Sequence, residues 1–317
     1  MKDILRLDII ENNDLLVIVF LIFGLLTFAS LLFFVVGKIK PNANLKELKD
    51  RTKSWWVMAI VFICATLINT TISYFAIALL SFIAFRELYS VLGFRQTDRR
   101  AIFWAFLSIP IQYYLAYIGW YGAYIIFIPV VMFLFLPLRL VLKGDTIGIT
   151  KSMSTLHWIL MLTVFGISHM AYLLSLPEIE GFASGGRGLL LFLVFLTEIN
   201  DVMQFTWGKI FGKHKIIPKV SPNKTWEGFI GGIISTTIIG YFLGFLTPLD
   251  VNQVVFVSFM IAISGFIGDI VMSSIKRDIG VKDMATTIPG HGGVLDRIDS
   301  LAYTAPVFFH IVYYIAY

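Results

Sequence analysis

Charge is what this chain is short of. Only 14% of its 317 residues are Asp, Glu, Lys or Arg, whereas 58% are hydrophobic and the mean hydropathy is +0.84. A water-soluble chain carries about 25% charged residues because its surface has to be wetted. That shortfall excludes an ordinary soluble enzyme and a disordered chain. A single cysteine, Cys64, excludes an intrachain disulfide and a thiolate zinc site. Internal repeats and low-complexity tracts are also absent. What remains is an all-α polytopic integral membrane protein, because apolar runs of 18 or more residues recur along the chain and barrel-type alternation does not.

The apolar runs place spans at 15–36, 55–70, 73–90, 101–118, 121–138, 155–174, 188–206, 226–247, 253–272 and 299–317, about nine to ten transmembrane helices. The first is too long for a signal peptide and no small-residue cleavage site follows it, so it is expected to stay. Charge settles the ambiguous stretch 55–85. Lys38, Lys40, Lys46, Lys49, Arg51 and Lys53 precede it; Arg86, Arg95, Arg99 and Arg100 follow it. Two basic loops on one side need an even number of spans between them, so Asn69-Thr70-Thr71 is expected to be a turn. Arg139, Lys143, Lys151, the 209–224 lysines, Lys276, Arg277 and Lys282 then fall on the same, cytoplasmic side. Glu178, Glu180 and Asp250 fall on the opposite side. No linker divides the chain: residues 1–185 and 186–317 form one continuous membrane domain, with chemistry expected in the second part.

The first part reads as apolar helix with positive caps. Its aromatic and Met residues are expected to pack or face lipid, Arg86-Glu87 to form a local ion pair or interfacial anchor, and His157 and His169 to be packed and hydrogen-bonded. From residue 197 the character changes. Thr197, Glu198, Asn200, Asp201 and Gln204 put polar and ionisable groups into a hydrophobic span, where they are costly and mark functional sites. A basic loop follows, leading into Ser221-Pro222-Asn223-Lys224-Thr225-Trp226-Glu227-Gly228, in which Ser221 or Thr225 caps the next helix. Its glycines, hydroxyls and cations are the groups that hold phosphate.

The densest segment runs from Ser273-Ser274-Ile275-Lys276-Arg277 through Lys282-Asp283 to Pro289-Gly290-His291-Gly292-Gly293 and Asp296-Arg297-Ile298-Asp299, with Gly268-Asp269 before it. Asp296 and Asp299 are three apart and share one face if the last helix begins there. Carboxylates on one face beside phosphate-binding cations suit Mg²⁺, which takes one or two carboxylates plus substrate phosphates.

Residues 273–299 resemble the signature of the phosphatidate cytidylyltransferase (CDP-diacylglycerol synthase) family: Ser-x-hydrophobic-Lys-Arg, four residues, Lys-Asp, a Pro-x-His-Gly-Gly turn, and hydrophobic-x-Asp-Arg-hydrophobic-Asp. Asp201 to Gly228 is similar to the family's second block. The likeness covers about the C-terminal third. It departs at Gln204-Phe205, where the family often has Ala-Tyr, and at Lys209, where Arg is common. The resemblance implies transfer of a cytidylyl group from CTP to phosphatidic acid drawn from the bilayer, giving CDP-diacylglycerol and pyrophosphate in phospholipid biosynthesis. It further implies Mg²⁺, with room for a second cation, held by Asp269 and Asp296 and then Asp299 and Asp201. Lys224, Lys276, Arg277, Lys282 and Arg297 would neutralise phosphates. Ser221, Thr225, Ser273 and Ser274 would contact substrate. Gly290, Gly292 and Gly293 would let backbone N–H groups approach phosphate, and His291 would bond phosphate or a metal-bound water. Expected partners are CTP, phosphatidic acid, membrane lipids and a second copy of the chain, with no nucleic acid. The expected location is a membrane, the inner or cell membrane if the chain is bacterial, with the site facing the cytoplasm. Rival readings are another CTP-using lipid enzyme, of the CDP-archaeol synthase or polyprenol kinase type, and a non-enzymatic lipid transporter.

Overall fold

The structure is a computed structural model that describes residues 12–39, 46–285, 287 and 292–317; within these, no side chain is described at 46–48 or 51. Among the described residues ten helical rods follow one another. They are α1 (Asn13–Ile39), α2 (Lys46–Leu67), α3 (Thr70–Val91), α4 (Arg99–Tyr117), α5 (Tyr121–Val141), α6 (Ile149–Ser175), α7 (Gly185–Phe211), α8 (Trp226–Phe242), α9 (Val251–Asp278) and α10 (Leu301–Ala316). Six of them (α1, α3, α5, α6, α7 and α9) are long and apolar enough to cross a membrane. Large apolar side chains such as Phe20, Phe28, Phe75, Phe103 and Leu134 face outward, which water would penalise and lipid does not. The chain is an all-α, multi-pass membrane protein.

The expected turn at Asn69 is present: its side chain caps α3 by accepting from the Thr71 N–H at 2.7 Å. The rods run longer than the apolar runs at their polar ends. α6 begins at Ile149 rather than near 155, and α9 continues to Asp278, because helix propensity does not stop where hydropathy falls. α8 stops at Phe242 and a 3₁₀ turn, Gly244–Leu246, completes the expected 226–247 span.

Side-chain ties sort the connections into two ends. At one end Arg95 donates to the Asp145 carbonyl at 3.2 Å and the Ile147 carbonyl at 2.5 Å, and Arg277 donates to the Val220 carbonyl at 3.3 Å. The first tie joins the 92–98 connection to 142–148 and the second joins the end of α9 to 212–225, while Glu87, near the end of α3, bonds Val294 and Leu295. At the other end Tyr74 bonds Ser175, Ser175 donates to the Ala116 carbonyl, and Ser184 donates to Asp14. The basic connections at 92–98, 142–148, 212–225 and after α9 thus lie at one end of the bundle, as the charge pattern predicts for them.

A single contiguous apolar core joins both parts of the chain, with Leu156, Phe192, Phe308 and Phe309 fully buried in it. Helices in lipid gain no hydrophobic drive from meeting one another, so close backbone approach carries the association. α7 and α8 show this. A Cβ on Gly228 would lie 2.7 Å from the Gln204 carbonyl and 3.0 Å from Gly208 Cα, and one on Gly232 would lie 2.4 Å from Gln204 Cγ. Only glycine lets α8 lie against the polar stretch of α7.

His169 is fully buried, with its Nδ1 2.8 Å from the Phe165 carbonyl, and His157 packs edge-on to Phe133. Both belong to the packing, although the Nε2 of His169 and the Nδ1 of His157 have no partner.

Candidate active site

Four pieces of chain meet at the basic end of the second part: the polar stretch of α7, the 212–225 connection, the last turns of α9, and the helical turn Leu295–Ile298 that leads into α10. The 212–225 connection folds back on itself. Ile216 donates its N–H to the Lys224 carbonyl and Trp226 to the His214 carbonyl, and Lys215 and Thr225 pair as an antiparallel bridge. Thr225, not Ser221, caps α8 by accepting from the Gly228 N–H at 3.2 Å. Glu227, in the first turn, receives the N–H groups of Lys213 and His214 and sits 2.6 Å from His214 Nδ1. The result is a braced loop that presents Lys224 inward.

Lys224 Nζ lies 2.5 Å from Asp269 Oδ2 of α9 and donates to Gln204 Oε1 of α7 at 3.0 Å. Burial works against its ammonium, but the carboxylates of Asp269 and Asp201 outweigh it and hold Lys224 above the ordinary lysine value. It is therefore a fixed positive charge. The other oxygen of Asp269 accepts from Ser273 at 3.2 Å, one turn along α9. Lys276, a further turn's reach from Asp269, bridges Asp296 Oδ1 at 3.0 Å and Asp299 Oδ2 at 3.7 Å. The two aspartates do share a face, and one lysine reads both. Asp201 accepts from Ser300 Oγ at 3.0 Å, and Ser300 donates its N–H to Asp299 at 2.9 Å.

Asp201, Asp269 and Asp299 lie within electrostatic range of one another, and Glu198 and Arg297 within range of Asp201 and Asp299. Like charges so placed in a low-dielectric interior repel strongly unless cations stand among them. Lys224, Lys276 and Arg297 do so. Three polar atoms of this cluster are buried without a partner: Asp201 Oδ1, Gln204 Nε2 and Arg297 Nε. Buried groups of that kind are rare and ask for a reason. Among the described residues, no three metal-binding side chains already converge at ligand distance, because lysine ammoniums stand between the carboxylates.

Other expected residues take different places. Asp296 Oδ2 receives the N–H groups of Met284 and Gly293, both at 2.8 Å, so this carboxylate holds the connecting loop as well as Lys276. The Gly293 N–H is thereby engaged within the protein. Gly292 has φ +84 and a Cβ there would stand 2.8 Å from Asp296 Oδ2, so glycine is needed on both counts. Arg277 turns away from the cluster to the Val220 carbonyl. Lys282 is exposed. Ser221 and Ser274 show no side-chain bond to the cluster among the described residues. Gly290 and His291 lie outside the described residues.

One residue corrects the sequence reading. Glu87, expected to be an interfacial anchor or local ion pair, is 7% exposed and points into the 284–295 loop. Its Oε1 accepts from Thr287 Oγ1 at 2.8 Å and the Val294 N–H at 3.0 Å, and its Oε2 accepts from the Leu295 N–H at 2.8 Å. Its donors lie 200 or more positions away in the chain. The sequence signal for it is a carboxylate near the end of an apolar span, the same signal that marks Asp201.

A profile of the cytidylyltransferase family matches residues 49–315. An uncharacterized Escherichia coli K12 protein, YnbB, is 41% identical over 302 residues, which is 93% of this chain and 97% of that protein. A Staphylococcus haemolyticus phosphatidate cytidylyltransferase is 39% identical over 126 residues, covering 39% of this chain and 48% of its own length. A Mycobacterium leprae phosphatidate cytidylyltransferase is 36% identical over 149 residues, covering 46% and 47% respectively. The chain thus spans about half the length of the named enzymes it matches.

Proposed function

This chain belongs to the cytidylyltransferase family, and from that premise we propose that it joins CTP to phosphatidic acid, releasing pyrophosphate and forming CDP-diacylglycerol for phospholipid synthesis. As a member of that family it is a nucleotidyltransferase set in a membrane. The observation that carries the proposal is the cluster at the basic end of α7, α9 and the Leu295–Ile298 turn. Carboxylates and fixed cations converge there beside the unpartnered Arg297 Nε, Gln204 Nε2 and Asp201 Oδ1.

A lipid phosphate is already a nucleophile, so the reaction needs no serine or histidine attack. One of its oxygens bonds to the α-phosphorus of CTP as the bond from that phosphorus to the pyrophosphate oxygen breaks. Catalysis of such a step is positioning and charge neutralisation. Lys224 is held by Asp269 and Gln204 and would meet triphosphate as a point charge. Arg297 has an N–H to offer phosphate, and Gln204 Nε2 supplies a neutral donor beside it. Lys276 keeps Asp296 and Asp299 from repelling incoming phosphate.

Mg²⁺ fits this donor set. Asp201 has a free oxygen, while Asp269, Asp296 and Asp299 each face a lysine ammonium for which a divalent ion could substitute. When bound it would neutralise the triphosphate and the departing pyrophosphate. The site would face the cytoplasm, where CTP is, and the lipid would enter sideways from the bilayer.

The test is to incubate the purified protein in detergent with labelled CTP, Mg²⁺ and a panel of lipid phosphates, and to identify the product. Labelled CDP-diacylglycerol is expected from phosphatidic acid. CTP-dependent product from an isoprenoid acceptor alone would move the chain to a different lipid substrate, and no CTP consumption with any lipid would overturn the proposal. Calorimetry adds a second arm: Lys224→Met should lose CTP binding and Lys143→Met should keep it.

A further inference from the structure

The polar cluster is built by the second part of the chain, yet the loop that delivers half of it is fastened by the first. Val294 and Leu295 open the Leu295–Ile298 turn, which carries Asp296 and Arg297, and the backbone continues through Asp299 and Ser300 in helical conformation into α10. The first N–H groups of any helix lack intrahelical acceptors. Here those of Val294 and Leu295 end on the carboxylate of Glu87, and Thr287 adds its hydroxyl. Glu87 in turn stands on α3 between Phe85 and Leu88, both fully buried, so its backbone is rigid. Space is reserved for it, since a Cβ on Gly293 would come within 2.6 Å of Glu87 Oε2. On the opposite side Asp296 holds Met284 and Gly293. Two carboxylates therefore take up the loop's donors, one from inside the signature and one from a helix 200 residues earlier.

We infer that Glu87 is a positioning residue for the cytidylyl-transfer site: it sets the start of the Leu295–Ile298 turn, and through it the placement of Asp296, Arg297 and Asp299 against Lys276 and Asp201. The inference rests on the function proposed above. Its physical logic is charge. Hydrogen bonds from backbone N–H groups to a carboxylate are roughly twice as strong as neutral ones, and glutamine in the same place would turn a donor toward donors. A catalytic group displaced by about 1 Å can lose on the order of 100-fold in rate.

The experiment compares wild type, Glu87→Gln, Thr287→Val and the neighbouring exposed Arg86→Gln in detergent, each by amide hydrogen exchange over 292–298 and by kcat per folded molecule with CTP and phosphatidic acid. Glu87→Gln should speed exchange at Val294 and Leu295 by about tenfold or more and lower kcat on the order of 100-fold. Thr287→Val, which removes one of the three bonds, should move both readouts the same way by less, and Arg86→Gln should move neither. A role confined to folding would lower the yield of folded protein and leave kcat per folded molecule unchanged, which overturns the inference. So does a fall in kcat with exchange at 292–298 unaltered, or faster exchange with kcat intact. If Glu87→Gln does not fold, Thr287→Val decides by the same criteria. If wild type turns over no CTP, the functional reading fails by itself, and the exchange arm still decides whether Glu87 holds the turn.

Discussion

Replacing Lys276 with methionine keeps the length of the side chain and removes the charge that stands between Asp296 and Asp299. At 3.0 Å and 3.7 Å, an effective dielectric of about 20 makes the two attractions worth at most about 5.5 and about 4.5 kcal/mol. Desolvating the ammonium offsets several kcal/mol of this, and the net cost of removing one partner of a buried pair is about 3–5 kcal/mol. The loss should fall in that range, because Asp296 and Asp299 are both buried and would be left facing each other. Stability is read by titrating detergent-solubilised protein with SDS and following helix content by circular dichroism. Asp296→Asn supplies the second edge of a double-mutant cycle. Alone, it sets an amide donor or a lost charge against Lys276 Nζ while the remaining oxygen can still accept from Met284 and Gly293. Combined with Lys276→Met, that conflict disappears, so the double variant should be more stable than the sum of the singles by about 1–3 kcal/mol. A Lys276→Met protein within about 0.5 kcal/mol of wild type, or strictly additive variants, would refute the view that this lysine neutralises the pair.

Gly232→Ala should loosen the α7–α8 contact, costing about 1–3 kcal/mol in the same SDS titration, because its Cβ would sit 2.4 Å from Gln204 Cγ; an unchanged midpoint would mean the helices can part freely. Asp98 is fully buried and accepts from Arg95 and Ser152; burial alone would raise its pKa, but those bonds hold it below the ordinary carboxylate range. A depressed folded pKa contributes stability that is present above the unfolded value of about 3.9 and is lost as pH falls through the folded one. Asp98→Asn should therefore unfold about 3 kcal/mol more easily near neutral pH, and the gap to wild type should close in acid; a gap independent of pH would exclude an ionised Asp98. In a Cys64→Ser background, cysteines at 143, 219 and 282 should react with an impermeant thiol reagent from one side of sealed vesicles, and cysteines at 178 and 250 from the other; labelling 219 and 282 from opposite sides would break the site in two.

The sequence by itself determined the helices, the lipid-facing character and the part of the chain in which the buried charged cluster gathers. Hydropathy places the spans, the charge of the flanking loops requires the Asn69 turn, and the three-residue spacing puts Asp296 and Asp299 on a common face, whereas the choice of Thr225 over Ser221 as cap came with the fold. The signature residues were legible too, because ionisable groups in an apolar span stand out against their background. Packing alone decided which charge meets which. Lys224 pairs with Asp269 rather than with the adjacent Glu227, and Arg277 leaves the cluster that Lys276 enters, since a helix turns about 100° per residue and sends neighbours to different faces. Asp296 divides its two oxygens between Lys276 and its own loop. Glu87 is the extreme case: nothing within 190 residues of it in the chain states its partners, and only the crossing of α3 behind the Leu295–Ile298 turn brings a carboxylate to those N–H groups.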